Sequence, residues 1–452
     1  MINIWFKLIR NLFSIFGILV FVLIILFLFF GETSKQRRNI FFETFKSFVG
    51  IGFKYDGFIA NTPHKYFDYM YLTLTNKFIN HDFSSINLEI NLKNLKSLEK
   101  MRDDKYRNAN NQTEWVRAQV RIEDKKNNVN KIVKVKLRPK GDRAIHFLNL
   151  DSMSYKLDVR GKDNYIFGME EMSLQKPIAR NFAWEILYHQ MLRNEDILSL
   201  QITPVKFYRN GEYLGVFVLE EGFGKELLEK QARKNGPIVS IDERLDQSFP
   251  NLTYEYYSEN YWTKKSPDII NYFKDNLDFI KINFRKDEFQ IENYFDIDKW
   301  AKFFALSDVL KMFHGTVTKS VKLYYNPSSG LIEPIAFDGH YQSGYNDFSF
   351  IDFIDNPKIE CGYACTHKVW YSLFFDKKNI NFLKKYFYHM NKYTSDDYQN
   401  KLINYSENQL KKINNFFYSE YQSSDRVFFN GILPYYYDHS VIKKRSSILK
   451  NK

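Results

Sequence analysis

Alternation of apolar and polar positions predicts β-strands in the first half of the chain. Apolar side chains occupy every second position in residues 114–124, 131–138 and 154–160, with Arg, Lys, Gln or Asp between them. Successive strand side chains point to opposite faces, so this period of two is typical of antiparallel strands with one solvated face. A shorter run, residues 86–91, has the same pattern.

A second pair of strands is predicted as a hairpin. Residues 202–208 and 213–221 are rich in apolar and aromatic side chains, and Asn210-Gly211 lies between them. Asn-Gly favours the two-residue turns in which both central residues have positive φ. The sequence therefore predicts an antiparallel sheet of several strands before residue 250.

Helical periodicity is found both between these strands and after them. Apolar residues spaced by three or four positions predict helices in five segments, which are residues 92–108, 179–194, 225–234, 379–393 and 398–421. The last two dominate the C-terminal part of the chain, and we interpret them as the packing shell of a helical lobe.

Residues 321–341 predict a hairpin that ends in a carboxylate. Residues 321–325 and 331–337 are apolar runs, and Asn-Pro-Ser-Ser-Gly between them is turn chemistry. Asp338-Gly339 follows directly. This dipeptide is commonly a tight turn, but Asp338 at a strand end could also bind a metal ion, with Gly339 leaving room for phosphate.

An uncharged apolar run near the N-terminus predicts a membrane anchor. Residues 12–31 are rich in Ile, Leu, Val and Phe, and as a helix they are long enough to cross a hydrocarbon core of roughly 30 Å. We expect a single-pass membrane protein whose partner is the lipid bilayer. Two basic residues precede the run and three follow it, which slightly favours a cytoplasmic soluble region and leaves its side of the membrane open.

Length indicates more than one folding unit. The chain has 452 residues, and single cores stop growing near roughly 250 to 300 residues. We predict an anchor in residues 1–31, a juxtamembrane segment in 32–62, a sheet-rich lobe in 63–250 and a mainly helical lobe in 251–452 that contains the hairpin 321–337.

Charge and cysteine content exclude some classes of function. The net charge is +12, but the basic residues are scattered without a run of five, so a nucleic acid partner is not expected. Cys361, Cys365 and His367 supply three soft ligands without a fourth, which disfavours a zinc site. Catalytic triads, a GxxxxGK[ST] phosphate loop and an HExxH motif are absent from the sequence.

Basic and acidic residues beside the predicted strands are candidates for phosphate binding. Lys140 and Arg143 flank a glycine in PKGDR, where guanidinium and backbone N–H groups could meet phosphate, or where the chain could form an ordinary basic turn. Lys156 is on the polar face of its strand. Glu185 lies close to the apolar stripe of a helix and needs a partner, for which Lys156 is one possibility.

Several of these segments occur in an order that resembles a known family. The runs KVKLRPKGDR, SYKLDV, RNFAWE, FYRNGEYLGVFVLEEGF and GPIVSIDE are similar to the CotH (spore-coat protein H) kinase-like family over roughly residues 85–345. The resemblance implies an α+β, two-lobed atypical protein-kinase-like fold. It also implies binding of ATP and of Mg²⁺ or another divalent cation, and phosphoryl transfer to a protein.

The resemblance assigns roles to individual residues. Lys156 resembles the family's phosphate-binding lysine, Glu185 its helix carboxylate, and Glu221 the acidic residue at the end of its hairpin. Lys140 and Arg143 match its basic turn. Asp338 resembles the metal-binding aspartate, which in protein kinases follows two short strands.

The segment before the hairpin departs from the kinase pattern. Kinases carry there an Asp as base and, about five residues later, an Asn that binds metal. Residues 313–320 contain neither. His314 could act as base, because its ordinary pKa is near neutral, or could be structural. Ser320 is a substitute metal ligand, and Asp308 could point into the cleft.

Two functions are consistent with these residues. The first is an ATP-dependent phosphotransferase acting on a protein or an envelope polymer, with His314 or Asp308 assisting the acceptor. The second is a non-catalytic, pseudokinase-like binding protein that assists assembly of the cell envelope or surface polysaccharide. The sequence does not name the acceptor.

Overall fold

Two β-sheets and a set of helices form the part of the chain that the structure describes. The structure is a computed structural model, and it describes residues 81–108, 111–124, 127–141, 146–147, 150–161, 164–241, 253–340, 348–357, 359, 369–419 and 439–452. The fold is mixed α and β, as the sequence predicts.

The first sheet is a closed barrel of seven strands. The strands are β1 (Ser85–Glu89), β2 (Val116–Asp124), β3 (Val129–Pro139), β4 (Tyr155–Val159), β5 (Glu171–Gln175), β7 (Ile202–Arg209) and β8 (Glu212–Glu221). Their order is β1-β2-β3-β4-β5-β8-β7, and a parallel pairing of β1 with β7 closes the barrel. Leu137, Leu157, Leu174 and Phe217 are among the side chains that fill its interior.

The second sheet has five strands and carries the predicted hairpin. Its members are β6 (Leu198–Ser199), β9 (Ile238–Ile241), β10 (Tyr254–Tyr256), β11 (Lys322–Asn326) and β12 (Leu331–Ala336). The order is β10-β9-β11-β12-β6, with β11 and β12 antiparallel and β12 parallel to β6. The hairpin prediction is therefore confirmed, and Asp338 follows the second strand.

Helices lie between the strands and make up the C-terminal part. They are α1 (Leu92–Arg107), α2 (Ala183–Asn194), α3 (Lys225–Lys230), α4 (Glu259–Lys265), α5 (Pro267–Asn283), α6 (Ile297–Val309), α7 (Ile351–Asp355), α8 (Val369–Phe374), α9 (Ile380–Thr394), α10 (Asp396–Tyr405), α11 (Lys411–Ser419) and α12 (His439–Lys450). Trp300 and Phe304 of α6, Phe374 of α8 and Phe382 of α9 pack in one aromatic core.

The outer face of the barrel joins that core. Ile202, Val216 and Val218 point away from the barrel interior and pack with buried residues of α2 and α6. One apolar core therefore extends from the barrel wall to the helices. This packing fixes the end of β8 beside α2, where the candidate site lies.

Some predicted element boundaries were wrong. The helix predicted for residues 225–234 ends at Lys230, and Ala232 has φ of 54°, which a helix does not allow. The helix predicted for residues 398–421 is interrupted by a π-helical turn, Ser406–Leu410. The predicted lobe boundary at residue 250 lies outside the described residues and stays a prediction.

The membrane prediction requires correction. Among the helices of the described residues, none combines the length and the apolar character needed to cross a membrane. This finding conflicts with the single-pass localisation predicted from the sequence, which is therefore withdrawn. Residues 12–31, on which the anchor and its lipid contact depended, lie outside the described residues.

Candidate functional site

A buried arginine, Arg180, contacts three carboxylates from different parts of the fold. Its Nη1 lies 2.6 Å from Asp338 Oδ1 and 3.7 Å from Glu185 Oε1, and its Nε lies 2.8 Å from Glu220 Oε1. The Asp338 side chain is 16% exposed, and the other three are almost fully buried. Buried charges need partners of opposite sign. We call these four residues the Arg180 cluster.

A sharp change of chain direction brings Arg180 beside Glu185. Arg180 ends a 3₁₀ turn, Pro177–Arg180, and Asn181 and Phe182 follow with φ of 50° and 52°. Non-glycine residues rarely adopt positive φ, and they keep it only where the surrounding structure requires it. Glu185 then lies in the first turn of α2, where the helix dipole favours a carboxylate.

Glu220 enters the cluster from the end of β8. It points away from the barrel interior, because its neighbour Leu219 belongs to the barrel core. Its Oε2 accepts hydrogen bonds from Lys140 Nζ at 2.8 Å and from Gln175 Nε2 at 3.0 Å. Since Glu220 Oε1 faces Arg180, this one carboxylate links two cations.

Asp338 lies just after β12 and is surrounded by nitrogen atoms. Its φ is 56°, in the left-handed region, and Oδ1 contacts His340 Nε2 at 2.7 Å in addition to Arg180. His314 Nδ1 lies 3.4 Å from Asp338 Oδ2 and 2.8 Å from the Asp338 carbonyl oxygen. Asp338 is therefore held by side chains from three separate segments.

Two glycines allow the loop with His314 to approach Asp338. A Cβ added to Gly339 would lie 2.5 Å from Tyr188 Cδ1, and one added to Gly315 would lie 3.1 Å from Gly339 Cα. Gly339 has no room for a larger residue, and at Gly315 the neighbouring atoms would have to shift to accept one. Tyr188 itself is fixed by a 2.8 Å hydrogen bond between its hydroxyl and Ser307 Oγ.

Two carboxylates of the cluster, Glu185 and Asp338, have lowered pKa values despite their burial. Burial alone would raise the pKa of Glu185, but mainly Arg180 lowers it to about 2. Burial likewise opposes ionisation of Asp338, and His340 and Arg180 nonetheless hold its pKa well below the usual range. Burial lowers the pKa of His340, but the Asp338 carboxylate outweighs it and raises that pKa above the ordinary value. For Lys140, burial outweighs Glu220 and lowers the pKa.

The donors around Asp338 fit a divalent cation. His314, Asp338 and His340 each offer a ligand atom, and these atoms lie within 4.8 Å of one another. Glu185 Oε2 is buried and has no hydrogen-bond partner among the described residues. Its other oxygen accepts a 3.2 Å hydrogen bond from Gly339 N–H, so this carboxylate lies beside the ligand set.

The structure gives Lys156 a different partner from the predicted one. Lys156 Nζ lies 3.0 Å from Glu171 Oε2, so the predicted pairing of Lys156 with Glu185 was wrong. The reason is strand order, since β5 separates β4 from β8. Lys140 is the lysine that contacts Glu220. The predicted phosphate-binding role of Lys156 stays a prediction.

Glu221 and Glu220 point to opposite sides of β8. Glu221 forms an ion pair with Lys230 and accepts a 3.0 Å hydrogen bond from Gln201 N–H. Adjacent strand residues face opposite ways. The carboxylate that contacts Arg180 is therefore Glu220, one residue before the one that the sequence comparison indicated.

Asp308 lies in a buried network and makes no described contact with Asp338. It forms an ion pair with Arg445 and accepts hydrogen bonds from Ser349 Oγ at 2.6 Å and from Tyr386 hydroxyl at 2.8 Å. It is fully buried. These contacts join α6, α9 and α12. They do not support the expectation that Asp308 points into a cleft with Asp338.

Ser320 lies beside His314, and its predicted role as a metal ligand stays a prediction. Ser320 Oγ is 3.4 Å from His314 Nδ1, which in turn contacts Asp338. In these contacts Ser320 is connected to the Asp338 carboxylate through His314. Arg143, the other basic residue of the turn that contains Lys140, lies outside the described residues.

Three residues of the site were missed from the sequence. Arg180 is the first residue of RNFAWE, and its position five residues before Glu185 was a usable signal. Glu220 was missed because the resemblance indicated its neighbour Glu221. His340 was missed because Asp338-Gly339 was interpreted alone, without the next residue.

A cavity of about 400 Å³ lies beside the end of β8. Its lining includes Glu221, Gly222, Phe223, Tyr257 and Trp262. The ring of Phe223 also packs edge to face on that of Phe337, the residue before Asp338, at 5.4 Å between centroids. The cavity and the Arg180 cluster are therefore neighbours through one aromatic pair.

Comparison with protein families gave a match over the site. A family model described as CotH kinase protein matches residues 137–432, which is more than half of the chain. The matched stretch contains Lys140, the whole Arg180 cluster, His314 and His340. A search of curated proteins found no match.

Proposed function

Because this chain belongs to the CotH kinase family, we propose that it binds ATP and a divalent metal ion at the Arg180 cluster. We further propose that it transfers phosphate to a protein or envelope-polymer acceptor. The observation that carries this proposal is the contact of Arg180 with Glu185, Glu220 and Asp338. Protein kinases likewise require an ion pair between a basic residue and a helix carboxylate, and an aspartate that holds metal.

The order of elements also supports a two-lobed, kinase-like arrangement. Glu185 is on a helix packed against the barrel wall, and Asp338 follows two antiparallel strands in the second sheet. In this proposal the basic partner of Glu185 is Arg180, and Lys156 is not part of that ion pair. Lys140 adds a second cation at the same place.

Each residue of the site has a proposed task. Asp338 binds the metal ion, while Lys140 and Arg180 offset the negative charge of phosphate. ATP, when bound, supplies the phosphoryl group. His314 takes the position of the kinase base, and donation from its Nδ1 to the Asp338 carbonyl oxygen makes Nε2 the proton-accepting nitrogen.

The cavity beside β8 offers a place for the nucleotide base. Phe223, Tyr257 and Trp262 provide aromatic surface for stacking. Four glutamates also line it, namely Glu170, Glu171, Glu221 and Glu226. Their charge disfavours phosphate in the cavity itself, so we propose that the phosphates lie towards Lys140 and Arg180.

A binding experiment tests the proposal. The purified protein is titrated with ATP in the presence and absence of a divalent cation, and transfer of labelled phosphate to cell-envelope extracts and to the chain itself is followed. We expect metal-dependent ATP binding that Asp338→Asn abolishes. Asp298→Asn is the matched control, since Asp298 contacts His389 at 2.9 Å outside the cluster and should leave binding unchanged.

A non-catalytic binding protein is the second candidate, and one observation favours it. Asp338 Oδ1 is already engaged by Arg180 and His340, and residues 313–320 contain no carboxylate. If ATP binds with metal but label reaches no acceptor, the binding function replaces phosphoryl transfer. If ATP does not bind with any divalent cation, the phosphotransferase candidate is overturned.

A further inference from the structure

The metal ligands around Asp338 differ in kind from those of a magnesium site. Mg²⁺ binds through oxygen atoms and keeps several waters, whereas imidazole suits later transition ions such as Co²⁺ and Zn²⁺. The group around Asp338 offers one carboxylate and two imidazoles, from His314 and His340. The rings of these histidines lie 4.9 Å apart in an edge-to-face arrangement.

We propose that His314, Asp338 and His340 form a site for a nitrogen-preferring divalent ion of the Co²⁺ and Zn²⁺ class, in preference to Mg²⁺. This inference rests on the proposed function, because it concerns the metal held by Asp338. It revises one assignment of that function, since His314 here binds the metal ion and does not act as the base. It differs from the family expectation in two residues of this chain. His314 occupies the loop where a kinase carries carboxylate and amide oxygens, and His340 is two residues beyond the metal-binding Asp.

Asp338 can bind a metal ion without leaving the Arg180 guanidinium unpaired. Arg180 Nε remains 2.8 Å from Glu220 Oε1, and its Nη1 remains near Glu185. The guanidinium therefore keeps two carboxylate partners after it loses the third, which avoids the penalty of an unpaired buried charge.

A buried carboxylate outside the group of three ligands contacts the backbone between two of them. Glu185 Oε2 is fully buried and has no hydrogen-bond partner among the residues that the structure describes. Its partner oxygen is fixed by the N–H of Gly339, the residue between Asp338 and His340. A buried carboxylate oxygen without a donor favours a nearby cation. This observation is independent of the histidines.

Metal titration of the full chain tests the inference. Co²⁺ is added to the protein, its visible absorption is recorded, and Mg²⁺ or Zn²⁺ is then added in competition. Cys361→Ser and Cys365→Ser are introduced throughout, so that thiolates do not contribute. We expect Zn²⁺ to displace Co²⁺ and a large excess of Mg²⁺ to leave it bound. His340→Ala and His314→Ala should each weaken Co²⁺ binding by at least about tenfold.

Two further variants make the result specific. His389→Ala is the matched control, because His389 also contacts a carboxylate, Asp298, but lies outside the cluster; it should bind Co²⁺ like the parent. His340→Asp exchanges a nitrogen for an oxygen donor, so it should shift the preference towards Mg²⁺. Circular dichroism of each variant shows whether it is folded, and His340→Asp provides the test if His340→Ala does not fold.

The outcomes separate this inference from the proposed function. If Mg²⁺ displaces Co²⁺ at comparable concentration, or if the His314 and His340 variants bind Co²⁺ like the parent, the inference is overturned. Metal-dependent ATP binding that is lost in Asp338→Asn would then still support the proposed function. If calorimetry detects no divalent ion, with or without ATP, both are overturned.

Discussion

Glu185 is a buried carboxylate whose ionisation depends on its neighbours. Burial would raise its pKa, but Arg180 and the adjacent groups lower it from 4.5 to about 2. A lowered carboxylate pKa stabilises the folded state above the unfolded pKa, and this stabilisation is lost as pH falls through the folded pKa. The window is therefore from about pH 4.5 down to about pH 2.

Glu185→Gln should remove that stabilisation. The difference in pKa corresponds to on the order of 3 kcal/mol in the free energy of unfolding near neutral pH. The gap between the variant and the parent should narrow as pH falls below about 4.5, because the parent then loses the same contribution. Urea unfolding of the variant and the parent over a pH series measures this difference in the free energy of unfolding. Glu171→Gln, at a half-exposed site, should change stability by less than about 1 kcal/mol; equal effects would contradict the role of burial.

The glycine next to Asp338 allows a second test at the residue scale. Gly339→Ala would place Cβ 2.5 Å from Tyr188 Cδ1, inside contact distance. We expect a loss of about 1–3 kcal/mol in the free energy of unfolding, because Tyr188 is buried and fixed. Gly224→Ala is the control, since its added Cβ approaches only the flexible end of Glu226 at 3.0 Å. Chemical denaturation measures the free energy of unfolding of both variants. Equal values would contradict the close packing of Gly339 against Tyr188.

At the scale of elements, the C-terminal helix α12 is tied to α6 by one ion pair. Asp308 of α6 pairs with Arg445 of α12, and Tyr386 of α9 donates to the same carboxylate. Both charges are buried. The contacts of Asp308 thus hold three helices together.

Asp308→Asn should therefore lower the free energy of unfolding. Breaking a buried ion pair typically lowers the free energy of unfolding by roughly 3–5 kcal/mol, because one charge is left unpaired. ATP affinity per folded molecule should stay unchanged in calorimetry. Arg445→Met should have a similar effect, and the double variant should lose less than the sum of the two. If Asp308→Asn is as stable as the parent but no longer transfers phosphate, the result contradicts this prediction and indicates a catalytic role for Asp308.

Local sequence patterns predicted single elements well and their long-range pairing poorly. The period of two predicted β2 and β3, and Asn210-Gly211 predicted the β7–β8 hairpin. Barrel closure depends on the pairing of β1 with β7, which joins residues far apart in sequence and leaves no local signal. The same limit applies to the site, where alternation along β8 did not show whether Glu220 or Glu221 would meet Arg180.

At the scale of the whole molecule, the barrel and the helices share one core. Val218 is on the outer barrel face and is buried with residues of α2 and α6. A shared core couples the stability of the two parts, since neither buries its apolar surface alone. The parts that the structure describes should therefore unfold together.

Val218→Ala tests this coupling. We expect a loss of roughly 2 kcal/mol in the free energy of unfolding and a single transition. Tryptophan fluorescence, which reports mainly on Trp184, Trp262, Trp300 and Trp370 outside the barrel, should shift in parallel with far-ultraviolet circular dichroism. Val205→Ala, inside the barrel, is the comparison variant. Two separated transitions in either protein would contradict a common core.

The contacts of Arg180 also have a consequence for the order in which the site forms during synthesis. Its carboxylate partners are at positions 185, 220 and 338, and the last is 158 residues away along the chain. A growing chain that has already formed the barrel still lacks Asp338, so Arg180 has incomplete charge compensation until the second hairpin leaves the ribosome. Nascent chains halted before residue 338 should thus be unable to hold metal, and binding competence would appear late in translation.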